Sequence, residues 1–434
     1  AGHRDQAHAP SLRLRRLDRP DRAGVPGGAH VLQLADAAEP DHPERIEAGL
    51  GVARERIHRR AVGQRRHRQA VAVGRVVERV RGRDPGGGRH VPGDDLRLAI
   101  KELRLKGPVK GLILDLRDNP GGLLDVAVDV VEKFAQKGSL VVSTRGRKPE
   151  SERKFFVTEE PMLSDVPLAV LVNRNSASAS EIVAGAIQDL DRGIILGTRT
   201  FGKGLVQTIT PLSYNTQLKI TTAKYYTPSG RCIQEIDYMH KNKDGVFAIT
   251  PDSLRRIFKT SKGRKEFESG GIQPDTAVAE PERSDVYSEL LRKSMFFKFA
   301  TRFASNQKEA PASLDGDSLI QQFKQFVAAQ KFTFQDDGER KLGELSESAR
   351  KLHYSPAVIE ELDKLGKEID REKTMSLDRD RAGIVTALKV EIMSRYKGEH
   401  GRIEASLPDD VQLQAARGLL KDAKRYELLL TLQR

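Results

Sequence analysis

The chain has 434 residues, of which 38% are hydrophobic, 31% charged and 5% aromatic. This length is sufficient for two or three domains with a buried core. The single cysteine, Cys232, excludes an intramolecular disulfide, and the absence of any run of about 18 apolar residues predicts that no segment spans a membrane.

The net charge of +13 raises the question of nucleic-acid binding. Residues 1–98 contain 20 Arg against 13 Asp and Glu, with no Phe, Tyr or Trp among them. Surfaces that bind single-stranded nucleic acid usually combine basic residues with aromatic side chains on which bases stack. The distribution of charge therefore predicts no nucleic-acid partner.

Residues 1–98 differ in composition from the rest of the chain. They contain no Lys, Asn, Thr, Phe, Tyr, Met or Cys, and Arg, Ala, Gly and Pro dominate. Two explanations stay open. The segment is either a basic arm, whose low hydrophobicity cannot offset chain entropy, or a wrong-frame translation of a GC-rich gene. On both explanations we expect an irregular or disordered segment over 1–98, in place of a folded domain.

From Ala99 onward, predicted strands and helices alternate. Short apolar runs between turn residues predict strands, and apolar residues at helical spacing predict helices. The predicted strands are 109–116, 140–143, a short one ending at 157, 168–172, 193–196, 205–210 and 216–226. The predicted helices are one ending at 106, one at 123–135 and one ending near 189. This alternation predicts a layered α/β domain over residues 99–280.

Residues 171–182 (LVNRNSASASEI) run from an apolar strand through a Ser/Ala-rich turn into a helix. Three serines in this turn, Ser176, Ser178 and Ser180, are candidate nucleophiles. Ser178 and Glu181 also have the S-x-x-E spacing of a capping box, so a helix cap without catalysis is the alternative. A serine at a helix N-terminus suits catalysis because the free N–H groups there stabilise a developing oxyanion.

The candidate general base is Lys203, which lies 25 residues after Ser178 between two glycines. Lysine can act as a base where a dry pocket favours its neutral amine, although an exposed turn lysine is the plainer interpretation. Beyond residue 98 the histidines are His240, His353 and His400, all in charged or loop-like contexts. A Ser-His-Asp arrangement is therefore poorly supported.

Four stretches, in this order along the chain, resemble the C-terminal processing, or tail-specific, serine peptidases. They are LILDLRDNPGGLL (112–124), VLVNRNSASASEIVAGAIQD (170–189), GTRTFGKGLVQT (197–208) and TTAKYYTPSGRCIQ (221–234). By this resemblance Ser178 is the nucleophile, Lys203 the general base and Gln207 the residue that holds the lysine. The resemblance assigns the oxyanion hole to the backbone N–H groups of Ala179 and of Gly121 or its neighbour Gly122.

The resemblance also implies a crotonase/Clp-like layered core, protein or peptide substrates and no metal or cofactor. It implies an exported or periplasmic bacterial protein, and it leaves homo-oligomerisation open. Members of the family usually carry a PDZ domain before the core, but residues 1–98 show no carboxylate-binding loop and no alternating strands. A non-catalytic peptide-binding or scaffold protein of the same fold is therefore the alternative function. A coenzyme A-dependent enzyme is disfavoured because the SASASE and FGKG stretches would have no role in it.

Residues 281–434 are predicted to form a mostly helical region packed on the core. Apolar residues at helical spacing predict helices at 317–331, 359–372, 381–395 and 409–430. Ser355 and Pro356 are a typical helix start, with serine as the cap and proline in the first turn. The apolar positions are too irregular for a coiled-coil arm.

Overall fold

The computed structural model describes residues 72–75, 92–214, 216–241, 247–249, 253 and 255–431. Most of the Arg-rich segment 1–98 therefore lies outside the described residues. Within it, the structure describes a strand at Ala72–Arg75 and the start of a helix at Pro92–Lys106.

The described strands form two larger sheets and two short hairpins. In chain order they are β1 (Ala72–Arg75), β2 (Leu112–Asp115), β3 (Leu140–Gly146), β4 (Arg153–Phe156), β5 (Leu168–Val172), β6 (Ile194–Gly197), β7 (Leu205–Pro211), β8 (Gln217–Tyr226), β9 (Ile236–Lys241), β10 (Phe247–Ile249), β11 (Ile257–Lys259), β12 (Lys265–Phe267) and β13 (Thr276–Ala277). The central sheet has the order β1-β2-β5-β6-β13, and all its neighbouring strands are parallel. The second sheet, β4-β3-β8-β7, is antiparallel.

Helices lie both between the strands and after them. In chain order they are α1 (Pro92–Lys106), α2 (Leu124–Glu132), α3 (Ala179–Asp189), α4 (Asp285–Arg292), α5 (Met295–Asn306), α6 (Gly316–Ala329), α7 (Asp337–Lys351), α8 (Pro356–Thr374), α9 (Ser376–Arg379), α10 (Arg381–Ser406), α11 (Val411–Lys421) and α12 (Ala423–Thr431).

The central sheet is covered on both faces, which explains why β2 and β5 are apolar and buried along most of their length. Successive side chains of a strand point to opposite faces. Thus Leu114 belongs to the core formed with α1, α2, α3 and β3, whereas Ile113 packs against α11 and α12. The predicted layered α/β core is confirmed, and its outer layer comes from the last two helices of the chain.

The helical C-terminal region has a second core, formed between α4, α5, α6 and α10. It is rich in phenylalanine: Phe296, Phe299, Phe323 and Phe326. The rings of Phe296 and Phe323 stack with centroids 5.5 Å apart, and Phe299 meets Phe323 edge-on at 5.4 Å. These aromatic contacts join α5 to α6.

The structure corrects three details of the predicted helices. The single helix predicted at 409–430 is wrong, because the backbone leaves helical geometry at Asp422 and α11 and α12 are separate. The helix predicted at 381–395 extends to Ser406, with a non-helical residue at Gly398. Ser355 does precede α8, with Pro356 in its first turn, but its side chain makes no cap hydrogen bond.

The loops after β2, β5 and β6 leave the same edge of the central sheet, because these strands are parallel neighbours. In open α/β sheets, ligands bind at the carboxyl ends of the strands. The loop after β2 is residues 116–123, the loop after β5 leads to α3, and the loop after β6 leads to β7. All the residues that the sequence singles out for chemistry lie on or next to these loops.

Candidate active site

Backbone hydrogen bonds join the three loops at the carboxyl edge. The N–H of Ala177, in the loop after β5, donates to the carbonyl of Asn119 in the loop after β2 at 3.0 Å. The N–H of Phe201, in the loop after β6, donates to the carbonyl of Ser176 at 3.0 Å. The loop that ends at α3 therefore lies between the other two and contacts both.

The structure distinguishes the three candidate serines. Ser176 is fully buried, and its hydroxyl donates to the carbonyl of Leu116 at 2.7 Å. Ser180 is also buried, and its hydroxyl donates to the carbonyl of Asn119 at 3.0 Å. Ser178 is the partly exposed member of the three. Of these hydroxyls, the one on Ser178 is thus the best placed to meet a substrate.

Ser178 holds an unusual backbone conformation at the start of α3. Its φ of 56° and ψ of −116° lie in a region that costs a non-glycine residue about 1–3 kcal/mol. The predicted capping box is present, and the Ser178 N–H donates to the Glu181 carboxylate at 2.8 Å. A strained serine between a strand and a helix is also the arrangement of a nucleophile elbow. The cap and the nucleophile are therefore compatible.

The Glu181 carboxylate connects the loop after β5, which contains Ser178 (the serine loop), to the loop after β6, which contains Lys203 (the lysine loop). It is fully buried and accepts the N–H groups of Ser178 at 2.8 Å, Lys203 at 2.9 Å and Gly202 at 2.7 Å. It also accepts the hydroxyl of Thr200 at 2.6 Å. Burial raises the pKa of Glu181, and these four hydrogen bonds act in the opposite direction because they favour the carboxylate.

Tyr225 on β8 connects the same two loops from the other side. Its hydroxyl lies within hydrogen-bond distance of the Ser178 carbonyl, at 3.1 Å, and of the Lys203 carbonyl. The ring is buried, and burial, with the nearby Glu181 and Cys232, raises the pKa of Tyr225 well above its usual value. Tyr225 therefore stays a neutral donor, and its single O–H proton is shared between the two carbonyl groups.

Lys203 is half-buried, and its backbone N–H and carbonyl are held by Glu181 and Tyr225. Gln207 lies four residues further along β7, opposite Thr221 of β8, and is exposed. The backbone N–H groups of Ser178 and Lys203 thus both donate to the Glu181 carboxylate. The contacts between the side chains of Ser178, Lys203 and Gln207 stay predictions.

Two of the three histidines considered as bases lie elsewhere. His353 follows α7 and His400 lies in α10, and both are exposed. The side chain of His240 lies outside the described residues.

The glycine loop after β2 lies against the turn of Ser178. Gly121 has a φ of +86°, and a Cβ there would lie 2.4 Å from the Ala177 carbonyl oxygen and 2.5 Å from the Ala179 nitrogen. Only glycine permits both this conformation and this approach. The Gly121 N–H donates to the Asn119 side chain at 2.9 Å, whereas Gly122 is exposed.

An apolar cavity opens beside this glycine loop, between α2 and the start of α3. Its volume is about 390 Å³, counting space open to solvent. Its apolar lining includes Leu123, Val126, Ala127, Val130, Ala179 and Val183. The cavity therefore adjoins both Ala179, which follows the candidate nucleophile, and the glycine loop after β2 (residues 116–123), which is the candidate oxyanion loop.

A buried ionic cluster lies at the far end of α3. It consists of two arginines and four carboxylates: Arg231, Arg264, Asp189, Asp191, Glu266 and Asp275. Glu266 Oε2 is 3.7 Å from Arg231 Nη1, and its other carboxylate oxygen has no hydrogen-bond partner. Burial, partly offset by the arginines, raises the pKa of Glu266 to about 7.

The sequence did not identify Tyr225 or Asn119 as site residues, and it identified Glu181 only as a helix cap. The S-x-x-E spacing could have marked Glu181 as a buried carboxylate near the serine. Tyr225 carries no local signal, because its role depends on the pairing of β8 with β7.

Among the described residues, no three His, Cys, Asp or Glu side chains form a group that could hold a metal ion. No helix in the described part of the chain is long and apolar enough to cross a membrane.

Two family models match the chain. Residues 90–252 match peptidase family S41, and residues 286–420 match a family described as a probable PDZ-protease, C-terminal helical domain. The first match includes all three loops of the site.

Curated relatives carry matching names. A carboxy-terminal-processing protease of Bartonella bacilliformis is 54% identical over 161 residues, which cover 36% of this chain and 34% of the relative. A chloroplastic C-terminal processing peptidase of Tetradesmus obliquus is 43% identical over 139 residues, covering 32% of this chain and 29% of the relative. The match thus spans about a third of the length of each relative.

Among solved structures, the photosystem II D1 C-terminal processing protease is 32% identical, with a TM-score of 0.31, over 43% of this chain and 39% of that chain. The S41 match covers the strand, turn and helix of Ser178 and the loops that contact them, and the relative that is 54% identical is named a carboxy-terminal-processing protease. Residues 90–252 are thus similar to peptidase family S41, and the curated relatives of this part of the chain are named carboxy-terminal-processing peptidases.

Proposed function

We propose that this chain is a serine endopeptidase that cleaves proteins at or near their C-terminal tails, with Ser178 as nucleophile and Lys203 as general base. The observation that carries the proposal is the buried Glu181 carboxylate, which accepts the backbone N–H groups of both residues. One rigid group thereby fixes the spacing of the two loops. Such fixed geometry is what a nucleophile and its base require.

In the first half of the reaction, Ser178 Oγ attacks the peptide carbonyl carbon and its proton passes to the neutral Lys203 amine. The carbonyl oxygen becomes an oxyanion, for which the N–H of Ala179 at the start of α3 is one donor. Gly122 is the better second donor, because the Gly121 N–H already donates to Asn119. The C–N bond then breaks, the leaving amine takes the proton from Lys203, and an ester on Ser178 remains.

In the second half, a water molecule attacks the ester carbonyl and gives a proton to Lys203. The same donors stabilise the second oxyanion. The ester bond breaks, Ser178 Oγ recovers the proton, and the new carboxyl end of the product leaves. In this scheme Gln207 orients the Lys203 amine from the first part of β7.

The apolar cavity beside Ala179 supports a substrate preference. It adjoins the oxyanion loop, where the residue before the cleaved bond would lie, and its walls are mostly aliphatic. We expect an apolar residue at this position of the substrate, because a charged side chain would lose its hydration there. The names of the relatives support the preference for carboxy-terminal regions.

We infer an exported or periplasmic setting in a bacterium, on the basis of the bacterial relative and the family. Cell fractionation with an antibody to the C-terminal helices tests this inference. Recovery with cytoplasmic markers alone would contradict it.

Cleavage of casein by the wild type and by the Ser178→Ala and Lys203→Ala variants tests the proposal. Both variants should lose activity by about 10⁴-fold or more, because the nucleophile and the base act as a unit. The matched controls are Ser213→Ala and Lys219→Ala, two exposed residues of the β7–β8 hairpin, which should retain activity. Undiminished cleavage by both site variants would refute the two assignments, and a folded but inactive wild type would favour the non-catalytic scaffold.

A further inference from the structure

Arg117 links the end of β2 to the start of α11, 293 residues away in the chain. Its Nε and Nη2 donate to the two oxygens of Asp115 at 2.9 and 2.7 Å. Its Nη1 and Nη2 donate to the two oxygens of Asp410 at 2.9 and 2.6 Å, and Nη1 also donates to Gln412 at 3.0 Å. All five N–H groups of the guanidinium are thus engaged.

This cluster is shielded from solvent, which makes its geometry more specific than that of a surface ion pair. The side chains of Arg117, Asp115 and Asp410 are 14%, 6% and 17% exposed. Burial disfavours the charge on Arg117, but the hydrogen bonds to Asp115 and Asp410 outweigh it and raise the Arg117 pKa. Burial likewise opposes ionisation of Asp410, yet the bond from Arg117 leaves the Asp410 pKa lowered.

Arg117 lies at the base of the candidate oxyanion loop. The neighbouring Leu116 carbonyl accepts the Ser176 hydroxyl at 2.7 Å, and the N–H of Asp118 donates to the Asn173 side chain at 3.0 Å. Two residues further, the Asn119 carbonyl accepts a hydrogen bond from the Ala177 N–H, and the Asn119 side-chain oxygen accepts one from the Gly121 N–H. The position of Arg117 is therefore transmitted directly to the glycine loop.

Resting on the proposed function, we propose that Asp410 acts through Arg117 as a positioning residue for the oxyanion loop. The C-terminal helices are then part of the catalytic apparatus and not only a cover for the sheet. Asp410 is held at the N-terminus of α11, where its carboxylate also accepts the Leu413 N–H at 3.0 Å. The Gln412 side chain anchors the same turn by donating to the Val278 carbonyl at 2.7 Å.

Asp410→Asn is the sharpest test, because asparagine can still cap α11 but cannot accept two bonds from Arg117 on equivalent charged oxygens. Arg117→Lys is the second variant, since lysine keeps the charge but lacks the planar fork that holds two carboxylates. The matched control is Tyr426→Phe. It removes the hydroxyl that joins α12 to Leu168 of β5, at 2.9 and 3.0 Å, and leaves Arg117 untouched.

Two readouts are measured on the full chain: steady-state cleavage of casein, and deuterium exchange of peptides that span residues 116–123. In Asp410→Asn and Arg117→Lys, kcat should fall by about tenfold or more with KM changed less than about twofold, because only the transition state uses the oxyanion donors. Exchange in the loop should be about fivefold faster or more. Tyr426→Phe should lose thermal stability while its kcat and loop exchange match the wild type.

Unchanged kcat and unchanged loop exchange in both site variants would overturn the positioning role and leave the proposed function standing. Equal losses of kcat in Tyr426→Phe would also overturn it, since any loosening of the helical layer would then suffice. A wild type that does not cleave would instead overturn the proposed function. In that case, deuterium exchange of residues 116–123 alone would decide whether Asp410 orders the glycine loop.

Discussion

Replacing Glu181 by alanine removes the carboxylate that joins the serine and lysine loops. Three backbone N–H groups, of Ser178, Gly202 and Lys203, lose their acceptor at a buried position. At about 1 kcal/mol or more for each unsatisfied donor, the free energy of unfolding should fall by about 3 kcal/mol or more. We expect kcat to fall by about 10²-fold or more, because a displacement of about 1 Å between reacting groups has this effect.

Glu181→Gln gives a graded version of the same change, because one amide oxygen can serve only part of the four donors. The expected order of kcat is wild type, then Gln, then Ala. The matched control is Glu132→Ala. Glu132 is another buried glutamate, and it accepts the N–H and hydroxyl of Thr158 at 2.7 and 2.8 Å, away from the three loops.

The assay is steady-state cleavage of casein by variants whose folding is checked by circular dichroism and thermal unfolding. Glu132→Ala should lose stability with kcat within about twofold of the wild type, since it touches neither loop. If Glu132→Ala and Glu181→Ala lose kcat equally, the loss reflects general destabilisation and the linking role of Glu181 is wrong. A folded Glu181→Ala with wild-type kcat would refute it as well.

Two further predictions concern the glycine loop and the ionic cluster. Gly121→Ala should abolish cleavage, because its Cβ would lie 2.4 Å from the Ala177 carbonyl oxygen. Gly138→Ala, at a similar φ of +87° but with nothing within 4 Å of its Cβ, should cost only stability, and equal activity losses in the two would contradict the steric argument. Burial raises the pKa of Glu266 from 4.5 to about 7, so the folded state retains a proton that the unfolded state releases. The free energy of unfolding should therefore fall as the pH rises between about 4.5 and 7. Thermal unfolding at pH 5 and pH 8 measures this dependence, and Glu266→Gln should flatten it. The same pH dependence in Glu266→Gln and the wild type would show that Glu266 ionises normally.

The sequence predicts the core strands and the serine helix well, because their signals are local. The strand predicted at 168–172 is β5 at the same residues, since every position is apolar and buried. The capping spacing of Ser178 and Glu181 likewise produces the expected helix start. The parallel order of β2, β5 and β6 then brings the candidate residues to one edge without further information.

The sequence does not predict features that depend on distant pairing. The contact between Arg117 and Asp410 crosses 293 residues, and the stretch 112–124 that contains Arg117 gives no indication of its distant partner. The sequence predicts that the C-terminal helices pack on the core, but it does not predict that α11 and α12 contact the central sheet, because an amphipathic pattern identifies an apolar face but not its partner. The break at Asp422 is missed because no glycine or proline marks it.

Covalent labelling with a fluorophosphonate tests the central claim most directly, because the reagent reacts with an activated serine without requiring a natural substrate. Intact mass and peptide mapping of the labelled wild type should show a single adduct on Ser178. Lys203→Ala should remain unlabelled, and Lys219→Ala should be labelled like the wild type. An adduct on another serine, or equal labelling of Ser178 without Lys203, would contradict the account.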